Sequence, residues 1–271
     1  MSFGFGFGLQ YSRLSGGGGF EGFLNQFPGA ILGLSLDKLD KNYTGSAIKV
    51  RRSSDNAELD IGFVNNELDT ASLLTFVGSG NGFVTIIYDQ VGSNNMTQDR
   101  AVTQGQIVSN GVVNLKGGKP CILRSANDNG GYLSTYSPND GATVKGFLYV
   151  GDNEGKQSAM YGSNNSYADR GLMCSESSSS ADKNQTISLT KINGLITSLD
   201  TRQEVFDQTN LHFLLYREID FNFQNNVLGL GFRASLPSDF GMFTFQELVI
   251  FENTDNAVAK ENNINERYNI Y

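Results

Sequence analysis

The residues in this sequence that are best suited to chemistry are tyrosines and amides in the middle of the chain. A tyrosine ring offers its face to the apolar side of a sugar ring, and amide groups hydrogen-bond the hydroxyls. This combination predicts a glycan-binding site, although asparagine-rich loops are also typical of ordinary turns. The predicted glycan-binding residues are Tyr132, Tyr136, Tyr161, Asn164, Asn165 and Tyr167.

Metal and cofactor chemistry has little support in the sequence. Cys121 and Cys174 are far apart and form no CxxC or Cys/His cluster, so neither a zinc site nor a disulfide framework is predicted. The oxygen-rich segments 127–130 and 152–154 lack EF-hand spacing, and calcium binding is left open there. The single histidine, His212, lies in a strand-like apolar run and predicts a hydrogen-bonded strand residue. No metal site and no cofactor are expected.

Charged residues cluster between positions 50 and 60. Arg51, Arg52 and Asp55 are spaced so that guanidinium groups and carboxylates can pair along one strand and its following loop. Such pairing fits either a polar binding edge or a structural clamp on the loop, and we favour the clamp. Asp89 and Gln90 directly follow the apolar run 84–88 and predict a structural strand end.

Composition argues against several classes of protein. A formal net charge of −8 is unsuited to a general nucleic-acid binder, which needs a basic surface to displace counterions. No apolar run approaches the roughly 18 residues of a membrane span, so membrane insertion is not expected. The first residues have neither a basic region nor a continuous apolar core. No signal peptide is therefore predicted, and synthesis in a cytoplasm is expected.

The elements that must position the candidate residues are short β-strands. Many short apolar runs are separated by Gly, Asn, Asp and Ser, with no helical period between them, which predicts a β-sandwich. Two-residue hairpin turns are predicted at 117–118 and 193–194. A short helix or turn is predicted for 30–40, a strand for 73–76 and a short helix for 256–268.

Residues 1–27 differ from the rest of the chain. Apolar residues alternate there with glycine or polar residues, which fits an extended strand, and four glycines at 16–19 follow as a flexible joint. Such a strand gains little by folding onto its own domain, so docking on a neighbouring subunit is expected. A disordered terminus is the alternative. In either case the folded, lectin-like jelly-roll domain is expected to span 28–271. The expected partner contacts are Phe3, Phe5, Phe7, Leu9 and Tyr11.

The segment 43–63 carries a resemblance to a known family. It contains the Val-x-Arg-Ser-Ser-Asp-x-Ala element of 50–57 and the Asp-Ile-Gly step of 60–62, and the similarity continues to about residue 125. These residues resemble the catalytic domain of fungal-type α-L-arabinofuranosidase B. The same stretch recurs in concanavalin A-like modules of bacteriophage virion proteins. The expected fold is an all-β, concanavalin A-like jelly-roll sandwich with an extended N-terminal arm and a short C-terminal helix.

The resemblance breaks where the family carries its catalytic groups. The family's acid/base aspartate follows a Leu-Gly-x-Gly-x element, and here Arg233 follows that element at 228–232. An arginine cannot act as a general acid. The chain has no adjacent cysteines, and 159–165 carries no carboxylate, although Glu154 and Glu176 lie nearby and leave a shifted nucleophile open. The expectation is a protein that is not an enzyme.

Together these features predict a phage virion structural protein, placed on the head or tail as a surface, fibre or decoration component. It would present a non-catalytic, lectin-like jelly roll with adhesion to a host surface glycan. Its arm would contact other virion proteins, and the chain would self-associate as a trimer or a lattice. Synthesis in the host cytoplasm would precede assembly. The alternatives are a carbohydrate-binding module and an arabinofuranosidase-like glycoside hydrolase.

Overall fold

A computed structural model describes residues 20–124, 132–134, 143–152, 158–162, 172–174, 187–197, 202–209, 212–222, 228–230 and 243–271. Its strands are β1 (Ala30–Ser35), β2 (Ile48–Arg52), β3 (Glu58–Ile61), β4 (Phe63–Val64), β5 (Glu67–Leu68), β6 (Gly82–Ile87), β7 (Met96–Thr97), β8 (Gln106–Ser109), β9 (Val112–Val113), β10 (Leu115–Lys116), β11 (Lys119–Pro120), β12 (Ile122–Arg124), β13 (Tyr132–Ser134), β14 (Thr143–Asp152), β15 (Ser158–Gly162), β16 (Leu172–Cys174), β17 (Ile187–Ile192), β18 (Leu195–Ile196), β19 (Phe213–Asn222), β20 (Leu228–Leu230) and β21 (Phe243–Phe251). Its α-helices are α1 (Phe23–Gln26), α2 (Thr70–Val77), α3 (Arg202–Thr209) and α4 (Ala257–Tyr268), with one 3-10 turn at Ala101–Thr103. Among these helices none is long and apolar enough to cross a membrane.

The strands form an antiparallel sandwich, which confirms the predicted all-β jelly roll. In the first layer the order is β1, β21, β14, β19, β17 and β18. In the second layer β3, β2 and β6 are followed by β7, β13, β20, β15 and β16. Strand β12 pairs with β21 on one side and with β8 on the other, and β8 pairs with β6. The sheet therefore turns from one layer into the other at β12.

Strand alternation divides the apolar side chains between two cores. Successive strand residues face opposite sides of a sheet, and β14 shows both faces buried. Phe147 and Tyr149 belong to the core between the layers. Leu148 and Val150 belong to a second core, beneath α1 and α4. The first layer is thus covered on both faces, which explains its continuous apolar runs.

The start of the described chain belongs to this outer core. Phe23 is 3% exposed, and its ring centroid lies 5.1 Å from that of Phe27 and 6.1 Å from that of Phe251. Residues 20–27 of the predicted arm therefore pack on the folded body. Residues 1–19, with all five predicted arm contacts, lie outside the described residues.

A buried ion pair fastens α4 to the central strand β21. The side chain of Glu247 is fully buried. Arg267 donates to both of its carboxylate oxygens, at 2.6 and 2.7 Å. Ser35 Oγ and Tyr268 OH donate to the same carboxylate at 2.8 and 3.1 Å. Four donors from β1 and α4 thus compensate one buried charge.

Two of the predicted elements are wrong. The segment predicted as a helix or turn at 30–40 begins instead with strand β1, because it pairs along β21. The segment predicted as a strand at 73–76 lies in helix α2, whose first turn is capped by Asp69 through a 2.9 Å bond from the Ser72 N–H. Leu73 and Val77 are both buried, one helical turn apart. Helix α3 was not predicted either.

Both predicted hairpin turns and the C-terminal helix α4 are confirmed. Gly117 and Gly118 join β10 to β11 with φ of 58° and 80°. Asn193 and Gly194 join β17 to β18 with φ of 52° and 75°. Positive φ at both central residues is the type I′ geometry, which suits the twist of hairpin strands. The same geometry occurs at 65–66 and 110–111.

Asp89 and Gln90 clamp β1 to the end of β6, as the predicted structural strand end requires. Asp89 is 2% exposed. Its carboxylate accepts backbone N–H bonds from Gly33, Val91, Gly92 and Asn94 at 3.0 to 3.1 Å. The Gln90 side chain accepts from one backbone N–H and donates to two carbonyls.

We predict that Asp89→Ala lowers the free energy of unfolding by about 3 kcal/mol, because four backbone donors lose a charged acceptor. Urea denaturation at neutral pH measures this change. The matched control is Asp99→Ala, since Asp99 is exposed, and it should stay within roughly 0.5 kcal/mol of the parent chain. Equal midpoints for the two variants would contradict the clamp.

Candidate functional site

Three strands of the second layer bring two of the predicted glycan-binding residues into one row. Tyr132 of β13 and Tyr161 of β15 both lie opposite Leu230 of β20. Residues directly opposite each other on antiparallel strands share a face of the sheet. The two outer strands of the three lie roughly 10 Å apart, twice the usual strand spacing.

Strand direction brings the last residues of β13 and β15 to the same end of the sheet. Strands β13 and β15 run the same way, because each is antiparallel to β20. They therefore end, at Ser134 and Gly162, toward the same edge. The chain beyond these two ends carries four predicted residues outside the described ranges, namely Tyr136, Asn164, Asn165 and Tyr167.

At the opposite end of the same strands, the sequence continues toward three charged residues. Strand β20 ends there at Leu230, level with the first residue of β13. Strand β15 begins there at Ser158, opposite Cys174, the last residue of β16. The chain from Glu154 leads into β15, the chain after β16 leads to Glu176, and the chain after β20 leads to Arg233. These three residues lie outside the described ranges. Of the strand ends that lead to them, Ser158 and Cys174 are paired, whereas Leu230 pairs with Tyr161, three residues further along β15.

A polar cluster lies at the end of β14, just before the chain enters β15. Asp152, the last residue of β14, has a fully buried side chain and forms an ion pair with Lys116. The Gln246 amide nitrogen donates to the carbonyls of Lys116, Lys119 and Pro120 at 3.0 to 3.3 Å. The Gln246 amide oxygen therefore faces His212, whose Nε2 lies 2.6 Å away. Since that oxygen can only accept, His212 Nε2 carries the hydrogen.

Sequence reasoning missed this cluster because its members come from separate elements. Lys116 lies in β10, Gln246 in β21 and His212 immediately before β19. Their spacing along the chain carries no local signal. His212 itself has the hydrogen-bonded role that its strand-like context predicts. Burial lowers the pKa of His212, and this effect is partly opposed by the bond to Gln246 and by the charge of Asp152.

The charged segment 50–60 is a structural clamp, as favoured from the sequence. Arg52 donates to both oxygens of Asp55, at 2.8 and 2.7 Å, and this bond lowers the pKa of Asp55 well below its usual range. The Arg52 guanidinium also lies 4.9 Å from the centre of the Phe76 ring. Arg51 donates to Gln104 at 2.8 Å. These partners leave the guanidinium groups occupied within the protein.

Possible metal ligands are sparse in the part of the chain that the structure describes. No group of three or more His, Cys, Asp or Glu residues there could hold a metal ion. The oxygen-rich segment 127–130 lies outside the described ranges. Cys121 is buried, at 2% exposure.

The comparisons with known proteins agree on one scaffold. Residues 35–116 match the family model of the α-L-arabinofuranosidase B catalytic domain. A mutant GH54 α-L-arabinofuranosidase soaked with 4-nitrophenyl α-L-arabinofuranoside is similar in structure, with a TM-score of 0.55 at 16% identity. An arabinofuranosidase complexed with arabinofuranosyl-α-1,2-xylobiose gives 0.53 at 15% identity. No curated protein sequence matches.

The two structural matches cover most of this chain but only part of each arabinofuranosidase. The two structural matches cover 86% and 87% of this chain but only 62% of each arabinofuranosidase. The chain thus spans less than two thirds of their length. The predicted resemblance to the arabinofuranosidase B scaffold is confirmed, and the chain contains an arabinofuranosidase-like domain.

The expectation that the chain is not an enzyme is contradicted by these matches. The matching family model is that of a catalytic domain, and both solved structures are arabinofuranosidases. The inference from Arg233 treated one position as the source of the acid. It weighed that position above Glu154 and Glu176, which it had left open as a shifted nucleophile.

We predict that the free energy of unfolding decreases as the pH is lowered below 6.5, the usual pKa of histidine. His212 is the single histidine of the chain, and its pKa is lowered in the folded state. The unfolded chain therefore takes up the proton first, and folded stability is lost as pH falls from 6.5 toward the lower folded pKa. Urea denaturation of the parent chain and of His212→Gln at pH 5 and pH 8 measures this. The substitution should remove that component of the pH dependence, and an unchanged slope would contradict it.

Proposed function

We propose that this chain is a carbohydrate-active domain that hydrolyses terminal α-L-arabinofuranosyl residues. One observation carries the proposal. The strand register pairs Ser158 with Cys174, at the end of the array toward which the Leu228–Leu230 strand runs, and the sequence continues from these two residues to Glu154 and Glu176. Solved proteins with a similar scaffold are arabinofuranosidases. The substrate class follows from the glycosides named with them.

Two carboxyl groups are sufficient for glycoside hydrolysis. In a retaining enzyme one attacks the anomeric carbon, while the other protonates the departing oxygen and then activates water. Arg233 cannot supply the proton, but a guanidinium keeps a nearby carboxylate ionised. Glu154 leads into β15, which lies directly beside β20, whereas β16 is one strand further away. We therefore assign Glu154 as nucleophile and Glu176 as acid/base.

The row of Tyr132 and Tyr161 supplies the substrate-binding part of the proposal. The two residues sit on the strands next to β20, within the same strand array that leads to the proposed carboxylates. The two tyrosines, with amides from the following loops, would orient the glycosidic bond. A binding module without hydrolysis would use the same row.

We also propose where the domain works. The Phe/Gly pattern of residues 3–9 and the glycine run 16–19 suit an arm that docks on other virion proteins or on other copies of the chain, as a trimer or lattice. The domain would then be carried on a phage particle after synthesis in the host cytoplasm. Its ligands would be host surface glycans that contain arabinofuranose.

We predict that the purified chain hydrolyses 4-nitrophenyl α-L-arabinofuranoside. Glu154→Gln and Glu176→Gln should each lower kcat/KM by roughly 10²- to 10⁴-fold, because each removes one of the two essential carboxyl groups. The matched control, Glu252→Gln, changes an exposed carboxylate and should leave the rate unchanged.

Azide distinguishes the two proposed roles. It should rescue an acid/base variant of Glu176 with retained configuration and a nucleophile variant of Glu154 with inverted configuration. Absence of turnover by the parent chain would overturn hydrolysis. Saturable binding of the unreacted glycoside in that case would support the binding module instead.

A separate prediction tests the docking role of residues 1–19. Deletion of residues 1–19 should abolish incorporation into particles, because it removes the aromatic contacts while leaving Phe23 and Phe27 in the outer core. Deletion of 1–27 would confound the test by opening that core. Replacing Phe3, Phe5 and Phe7 by serine is the matched variant of equal length. Particles that incorporate both variants like the parent chain would contradict the docking arm.

A further inference from the structure

Lys260 is a buried cation without a carboxylate partner in the described part of the chain. It lies in the first turn of α4 and is 2% exposed. No ion pair to Lys260 occurs within 4 Å among the described residues. A buried ammonium is costly unless its charge and its three donors are compensated. This residue therefore calls for a further partner.

Two uncharged protein groups contact Lys260 directly. Its Nζ donates to Asn253 Oδ1 at 3.2 Å, and it lies 3.6 Å from the centre of the Phe251 ring. The orientation of Asn253 is fixed, because its Nδ2 donates to the Pro28 carbonyl and its Oδ1 also accepts from the Asp255 N–H. One amide oxygen and one ring face leave a donor of the ammonium for another acceptor.

A cavity adjoins this ammonium. It has a volume of about 200 Å³, and Lys260 forms part of its wall. Phe27 and Pro28 supply apolar wall, and the cavity also reaches the N-terminus of α4 at Asn256, where the positive partial charge of the helix favours an anion. The remaining lining residues are Gly29, Asn253 and Asp255.

We propose that this cavity binds a small monocarboxylate with a short hydrocarbon tail, whose carboxylate accepts a hydrogen bond from Lys260 Nζ. Lys260 is the one cation among the lining residues and matches one negative charge, and the apolar wall of Phe27 and Pro28 suits a hydrocarbon tail. A dianion such as phosphate fits less well, because the exposed Asp255 carboxylate lines the same cavity and repels added negative charge. The site is separate from the proposed glycosidase.

Burial supports a pH-dependent site. It lowers the pKa of Lys260 to about 8, and the charge of Asp255 acts in the opposite direction. The ammonium form binds a carboxylate and the neutral amine does not. Affinity for the anion should therefore decline as pH rises above about 8.

We predict that propionate binds the full chain saturably in calorimetric titrations at pH 7 and constant ionic strength. Lys260→Met should weaken this binding by at least about tenfold, because it removes the charge and keeps much of the side-chain volume. Asp255→Asn should tighten it. The control is Lys41→Met, which changes an exposed lysine, and it should leave the affinity unchanged. Thermal unfolding of each variant reports whether it is folded.

A second readout needs no variant. In spectra of the ¹⁵N-lysine-labelled chain, propionate should raise the pKa of the Lys260 amine, since a bound carboxylate stabilises the ammonium. The proposal is overturned if propionate does not change the pKa that the Lys260 ¹⁵N resonance reports. It is also overturned if propionate binds Lys260→Met as tightly as it binds the parent chain. Equal affinity for phosphate and propionate would overturn the choice of a monocarboxylate. None of these outcomes bears on arabinofuranoside hydrolysis.

Discussion

The carboxylate of Glu247 is the constraint on which the first layer depends. It is fully buried on the central strand β21, and a buried charge is tolerated only when donors surround it. Arg267 and Tyr268 of α4 and Ser35 of β1 supply those donors. Helix α4 must therefore dock in one orientation, and in doing so it covers the outer core. This cover allows β14, β19 and β21 to be apolar on both faces.

The two layers therefore differ in how firmly their strands are packed. The first layer is held between two cores, and Glu247 ties its edge strand and its covering helix together. In the second layer the array β13, β20, β15 and β16 consists of three- and five-residue strands, and the chain leaves each of them for a long connection. Binding and catalytic groups commonly lie on loops that a rigid scaffold positions. The row of Tyr132 and Tyr161 lies in this array, and the proposed carboxylates belong to the connections of the same strands.

Much of the fold was predictable because its signals are local. The turns at 117–118 and 193–194 follow from residues that tolerate positive φ, and α4 follows from a run of helix formers. The segment 30–40 misled because its leucine spacing fits a helix, yet the edge of β21 was available for pairing. The segment 73–76 was wrongly predicted as a strand, because its apolar run was considered without Asp69, which caps helix α2. The glycan-binding role of Tyr132 and Tyr161 stays a prediction from their residue type, whereas the polar cluster of Asp152, Lys116 and Gln246 was not predicted.

The sequence by itself determined the all-β class, the hairpin turns and the C-terminal helix, since each depends on preferences that act within a few neighbouring residues. It also carried the family resemblance, which the family model matches over residues 35–116. Tertiary structure alone decided that Tyr132 and Tyr161 share a row with Leu230 and that Lys260 is buried beside a cavity. Register and burial arise from contacts between segments far apart in the chain. They are therefore set by which faces must be covered together and cannot be read from any single segment.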